Sequence, residues 1–248
     1  MRAHNYESVE NFDENTGKRI RISGLLCYLC GVIPLIAAFF VAALIIIFEN
    51  GKPTIEELFE MTVNITIYSA FMEIVGIGVI ILQILIVLSG LRILVRQTRT
   101  GKRILSLTVI FLTVAVVIDP IFYYFLAKGI NWGLLGSVGD VSELIRLALF
   151  DPSLLSLYLC VIFITIGYII TFTTLLLMLD GKTAVKKLKT AGILYLGQIA
   201  AIFFQVFMLM GVPYSIYRLI TFPVTMLVLL SFLILGKNMR RIEITNRN

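Results

Sequence analysis

At 248 residues, 59% of them apolar and with a mean hydropathy of +0.98, the chain lies outside the composition of water-soluble domains, which are about half apolar. Its formal charge is +6, and three Cys with a single His exclude a disulfide framework and a haem held by histidine pairs. What remains is an all-α membrane protein.

Residues 1–21 form a polar tail carrying Glu7, Glu10, Asp13 and Glu14, expected to be cytoplasmic and not a cleavable signal. Apolar runs then occupy 22–48, 65–95, 104–127, 154–179, 192–211 and 215–236. Each has the ~20 residues that cross a bilayer core. Backbone groups in lipid must be satisfied internally and the runs do not alternate as barrel strands do, so the pattern predicts six transmembrane helices. The expected organisation is the tail 1–21, a six-helix domain 22–236 and a basic tail 237–248.

Span one opens with Cys27-Tyr-Leu-Cys30, two thiols on one helix face. A metal site there needs two more ligands, and the only histidine, His4, is in the tail, so the pair reads as small apolar core residues. Cys160 belongs to another depth. In "KPTIEELFEMTVN", between spans one and two, Thr54 precedes Glu57 by three, a capping box that predicts a short outer interfacial helix. Span two carries Glu73. After the basic "RTGKR", read as a turn, span three carries Asp119 followed by Pro120, which removes a backbone donor and predicts a bend at 116–119. "VGDVSELIRLALFDPS" predicts a second outer interfacial helix, ended at Asp151-Pro152. Span four brings Tyr158 and Thr165 on one face. Beyond the turn "DGKTAVKK", span five aligns Tyr195, Gln198 and Gln205, and Arg218 stands at the start of span six.

The basic residues are segregated. Arg2, Lys18, Arg19 and Arg21, then Arg92, Arg96, Arg99, Lys102 and Arg103, then Lys182, Lys186, Lys187 and Lys189, and finally Lys237, Arg240, Arg241 and Arg247 all fall on one side of the six runs. Lys52, Lys128, Arg146 and Arg218 are left for the other side, with seven acids. The positive-inside rule then places both termini in the cytoplasm and the chain in the plasma membrane. The clusters are short, hug the span ends and lack interleaved aromatics, so the expected partner is the lipid bilayer and not nucleic acid.

"SGLLCYLCGVIPLIAAFF" in span one and "AGILYLGQIAAIFF" in span five start alike after a basic segment. These openings, above all "KKLKTAGILYLGQIAAIF", resemble archaeal multi-span integral membrane proteins of unassigned function. The resemblance covers about one span in six and implies no site residues.

Glu73 and Asp119 are the two acids inside the spans, each about eight residues, or ~12 Å, from the outer end of its helix. A mid-span acid costs about 2.5–3.5 kcal/mol on insertion scales, so such groups face protein or water. Ser69, Ala70, Glu73 and Gly76 share one side of span two; Asp119 shares a face with Ala115 and Tyr123. With Gln198, Gln205 and Arg218 they compose a candidate intramembrane polar cluster. Three readings compete for it: packing contacts between helices, an outward-facing pocket for a cation, proton or small polar solute, and acid–base chemistry. No zinc motif, nucleophile elbow or phosphate loop accompanies the acids, and no cofactor is expected. The sequence reading is a non-enzyme, an accessory or scaffolding subunit working with other membrane protein subunits, with a small transporter or channel using Glu73 and Asp119 as the alternative. The oligomeric state is not encoded in any pattern found.

Overall fold

The computed structural model describes residues 14–48, 74–95, 99–129, 147–181, 183, 185–200, 202–203 and 214–241, and side chains at 37–48, 214–222 and 225 lie outside that description. No strand occurs among the described residues. The helices are α1 (Glu14–Phe48), α2 (Ile74–Leu94), α3 (Arg99–Gly129), α4 (Pro152–Leu179), α5 (Leu188–Leu196) and α6 (Tyr214–Arg240). Four stretches, Glu14–Ile36, Ile74–Leu94, Arg99–Gly129 and Pro152–Leu179, are long and apolar enough to cross a membrane. The segment expected to form the first interfacial helix, and most of the second, lie outside the described residues; of the latter, 147–148 are helical and a turn follows.

Helix ends differ from the hydropathy boundaries for identifiable reasons. α1 starts at Glu14, inside the polar tail, where Lys18 and Glu14 form an i,i+4 ion pair at 2.6 Å. "RTGKR" is no turn: Arg99 to Arg103 form the first turn of α3. α3 also continues unbroken through Pro120 to Gly129. Asp151 both ends the preceding turn and caps α4, its Oδ1 accepting from the Ser153 N–H at 2.8 Å with Pro152 at the first helical position. The α4–α5 connection is turned by Gly181 (φ +71°) and Lys187 (φ 60°), and Asp180 Oδ1 accepts from the Lys189 N–H at 3.1 Å, satisfying a donor in the first turn of α5.

Hydroxyls along these apolar helices are satisfied locally. Ser106, Thr113, Ser156 and Thr174 each donate to the carbonyl one turn earlier, at 2.7–3.0 Å. Large apolar side chains point outward instead: Ile110, Val117 and Phe163 are all more than half exposed. An outward apolar surface of this extent fits a lipid surrounding and not water.

In space the helices neighbour one another in the order α3, α4, α5, α6, α1, α2, and the π-helical turn of α2 at Val87–Leu91 returns to touch α3. Two features hold α1, α2 and α6 together. First, backbones meet where side chains are absent: a Cβ on Gly24 would lie 2.9 Å from the Gly236 carbonyl oxygen, and one on Gly90 2.6 Å from Ser23. Second, Ser23 and Ser89 share a hydrogen bond of 2.6 Å across α1 and α2. α5 is fastened on both sides, by Ser231 donating from α6 to the Ala191 carbonyl (2.7 Å) and by Thr173 donating from α4 to the Gly192 carbonyl (3.3 Å).

These contacts fix the vertical register. Phe172 of α4, Tyr195 of α5 and Phe232 of α6 stack as one aromatic layer, which Gln83 of α2 joins through Tyr195. Eight or nine residues from that layer in one common direction lie Arg92, Asp180, Lys187 and Arg240. Most described basic residues flanking the helices thus gather at one end, with the start of α1, while Lys128 and Arg218 lie towards the other. At the opposite end Phe122, Leu126, Ala148, Leu149 and Leu154 make a separate small core between α3 and α4.

The close approach predicts that Gly24→Leu, which forces α1 from α6, lowers stability by about 1–3 kcal/mol. Gly76→Ala, at a position with open space around it, should be neutral or stabilising by up to about 1 kcal/mol. Unfolding followed in detergent for both variants checks the contrast; equal effects would remove the glycine contact from the account.

Candidate functional site

α3 meets α4 along a seven-residue repeat. The buried positions of α3 are Gly101, Leu105, Thr108, Leu112, Ala115, Phe122 and Leu126. Their steps of three and four leave one place in the repeat that is not fully buried, and a carboxylate stands there, Asp119. α4 answers with Leu154 and Tyr158 beside Phe122, the latter at 5.5 Å between ring centroids, and with Phe163 edge-on to Phe111. Earlier residues of α3 thus meet later ones of α4, so the two helices run antiparallel. Gly167 lets the seam close, since a Cβ there would lie 2.5 Å from the Phe111 ring.

Asp119 is half-buried in this seam, and its Oδ1 is buried with no hydrogen-bond partner among the described residues. It lies near the Tyr168 hydroxyl of α4, with Thr165 close to that hydroxyl from one turn away. A buried, unmatched carboxylate oxygen costs free energy unless a proton or another group satisfies it.

A second polar centre lies deeper in the bundle. The Tyr195 hydroxyl donates to Gln83 Oε1 at 2.9 Å, both groups being buried, and Gln198 lies close to the same hydroxyl. Tyr168 lies close to Tyr195, so the two centres are neighbours. Every partner in the deeper centre is matched, and it joins α2 to α5 across the middle of the bundle.

The predicted cluster is therefore distributed. Asp119 occupies the α3–α4 seam and Gln198 the Tyr195 centre on α5. Tyr123 is 45% exposed, its ring edge-on to Phe122, and it is Phe122 that continues the Asp119 stripe. Arg218 lies in α6 with its side chain outside the described residues, as are Glu73 and Gln205 altogether. Gln83 and Tyr168 were not singled out from the sequence. Gln83 had a usable signal, being the one polar side chain between Gly78 and Ser89. Tyr168 had none, because a tyrosine in an apolar run reads equally well as packing.

Cys27, Cys30 and Cys160 are free. The first two are fully buried, Cys27 Sγ 4.0 Å from Met239 Sδ and Cys30 Sγ directed at the Val79 carbonyl. Among the described residues no group of three His, Cys, Asp or Glu side chains converges as a metal site. Compared with known proteins, the chain matches no protein family, no curated protein and no solved structure.

The two centres predict opposite responses. Tyr195→Phe and Gln83→Leu, combined in a double-mutant cycle, should show a coupling of about 0.6–1.7 kcal/mol, the range for interhelical hydrogen bonds in membrane proteins. Asp119→Leu completes the apolar seam and should leave stability unchanged or raise it by about 1–3 kcal/mol. A clear loss of stability in Asp119→Leu would mean the carboxylate is held by a strong partner.

Proposed function

We propose that the chain is a six-span integral membrane protein of the plasma membrane with both termini in the cytoplasm, acting as a non-catalytic accessory or scaffolding subunit of a larger membrane assembly. The gathering of basic residues at one end of the helices supports the orientation. The observation that carries the subunit reading is the position of α3. It packs along α4 and meets α2 at the π-helical turn, while Leu107, Ile110, Val114, Val117 and Ile121 stay exposed along its length. The deeper polar contacts are closed pairs that set helix geometry, as scaffolding requires.

Extraction in mild detergent from the native host should yield the chain with stoichiometric companions. A monodisperse chain that survives extraction alone would contradict the subunit role. For the orientation, a fluorescent protein fused after Arg241 should fold and fluoresce, and a periplasmic-type phosphatase fused there should be inactive; the reverse pair would invert the topology.

A small transporter or channel is the second reading, favoured by the unmatched Oδ1 of Asp119. In that reading Asp119, with Glu73 at the same expected depth, takes up a proton or cation. Reconstituted vesicles should then show cation- or pH-driven flux that Asp119→Asn with Glu73→Gln abolishes, and flux insensitive to both substitutions would exclude it.

A further inference from the structure

We propose that the α1–α6 junction at the basic end is a discrete binding site for the phosphate of an anionic lipid, with Arg240 as its anchor and Tyr28 as its platform. The inference rests on the membrane reading above. Gly24 is the starting point. Lacking a side chain, it lets the Arg240 side chain pass close over α1, its Cγ 2.9 Å from where a Gly24 Cβ would be. This route carries the guanidinium back along the helix pair to the Tyr28 ring, 5.7 Å from the centroid. A cation seated on an aromatic face is fixed in direction and keeps its N–H donors for another group.

That other group is anionic. Arg240 remains exposed, and among the described residues no carboxylate pairs with it: Glu14 is taken by Lys18 and Asp180 caps α5. A planar guanidinium with two or more free donors matches the paired oxygens of a phosphate. The surroundings select a lipid phosphate over a soluble one. Leu25, Leu29 and Val32 follow each other at helical spacing on α1, all exposed, forming an apolar track beside the phosphate position along which an acyl chain can lie.

The test uses the full chain in mild detergent, with bound lipid counted by native mass spectrometry after adding phosphatidylglycerol or phosphatidylcholine. The wild type should retain the anionic lipid preferentially. Arg240→Gln should lower its occupancy about fivefold, the effect of one basic residue at an anionic surface, and Arg240→Lys should recover only part of it. Lys186→Gln, an exposed basic residue on the α4–α5 connection, should leave occupancy unchanged. Equal losses in Lys186→Gln and Arg240→Gln would replace the site with a diffuse basic surface. Equal retention of the two lipids, or displacement of phosphatidylglycerol by millimolar inorganic phosphate alone, would also overturn it. Recovery of the chain in the soluble fraction would instead contradict the membrane reading, a separate outcome.

Discussion

The backbones of α1 and α6 meet where Gly24 and Gly236 remove the intervening side chains, and Gly90 of α2 admits Ser23 and Met239 to the same junction. Between apolar helices in an apolar surrounding, water exclusion supplies little driving force; what holds them is dispersion at short range and a small number of hydrogen bonds. Both depend on the distance that glycine permits. The Ser23–Ser89 bond, the sulfur contact of Cys27 with Met239 and the course of Arg240 over Tyr28 are consequences of that spacing. A methyl group at any of the three glycines meets carbonyl oxygen or packed side chain, so the contact is specific to residue type as well as to position.

Around this fixed centre the bundle is uneven. The half near the basic end is laced by polar contacts in which donor and acceptor are both accounted for. The α3–α4 arm is held instead by one heptad seam, and in that seam a carboxylate occupies a position built for an apolar residue. A polar residue at one seam position gives up stability and specifies register, which accords with a structural role. The same unmatched oxygen is what a proton or cation would engage. Subunit and transporter readings therefore diverge on one atom, and they diverge in what moves when the residue is changed.

Much of this was legible in the sequence, and its limits follow from what hydropathy measures. Apolar run lengths located α4 to within two residues and the clustering of basic residues at helix ends was evident from their order. Hydropathy marks where a chain becomes apolar, not where a helix starts, so the helix over Glu14–Arg21 went unread and the helical "RTGKR" was misassigned to a turn. The face of Asp119 was half readable. Ala115 belongs to its stripe, but a seam steps alternately by three and four, which selects Phe122 over Tyr123. The pairing of Tyr195 with Gln83, residues 112 apart, needed helix adjacency that no single-chain periodicity contains.

Cross-linking α1 to α6 addresses the central contact directly. Cys27 Sγ stands 4.0 Å from Met239 Sδ, so a thiol at position 239 faces the native Cys27 without adding a side chain at any of the glycines. In a chain with Cys30 and Cys160 replaced by Ala, Met239→Cys should form a bridge to Cys27 on mild oxidation, seen as joined fragments after cleavage between α1 and α6. A monodisperse, folded chain that forms no bridge, while its denatured form does, would show that the two backbones do not meet there and would contradict the account.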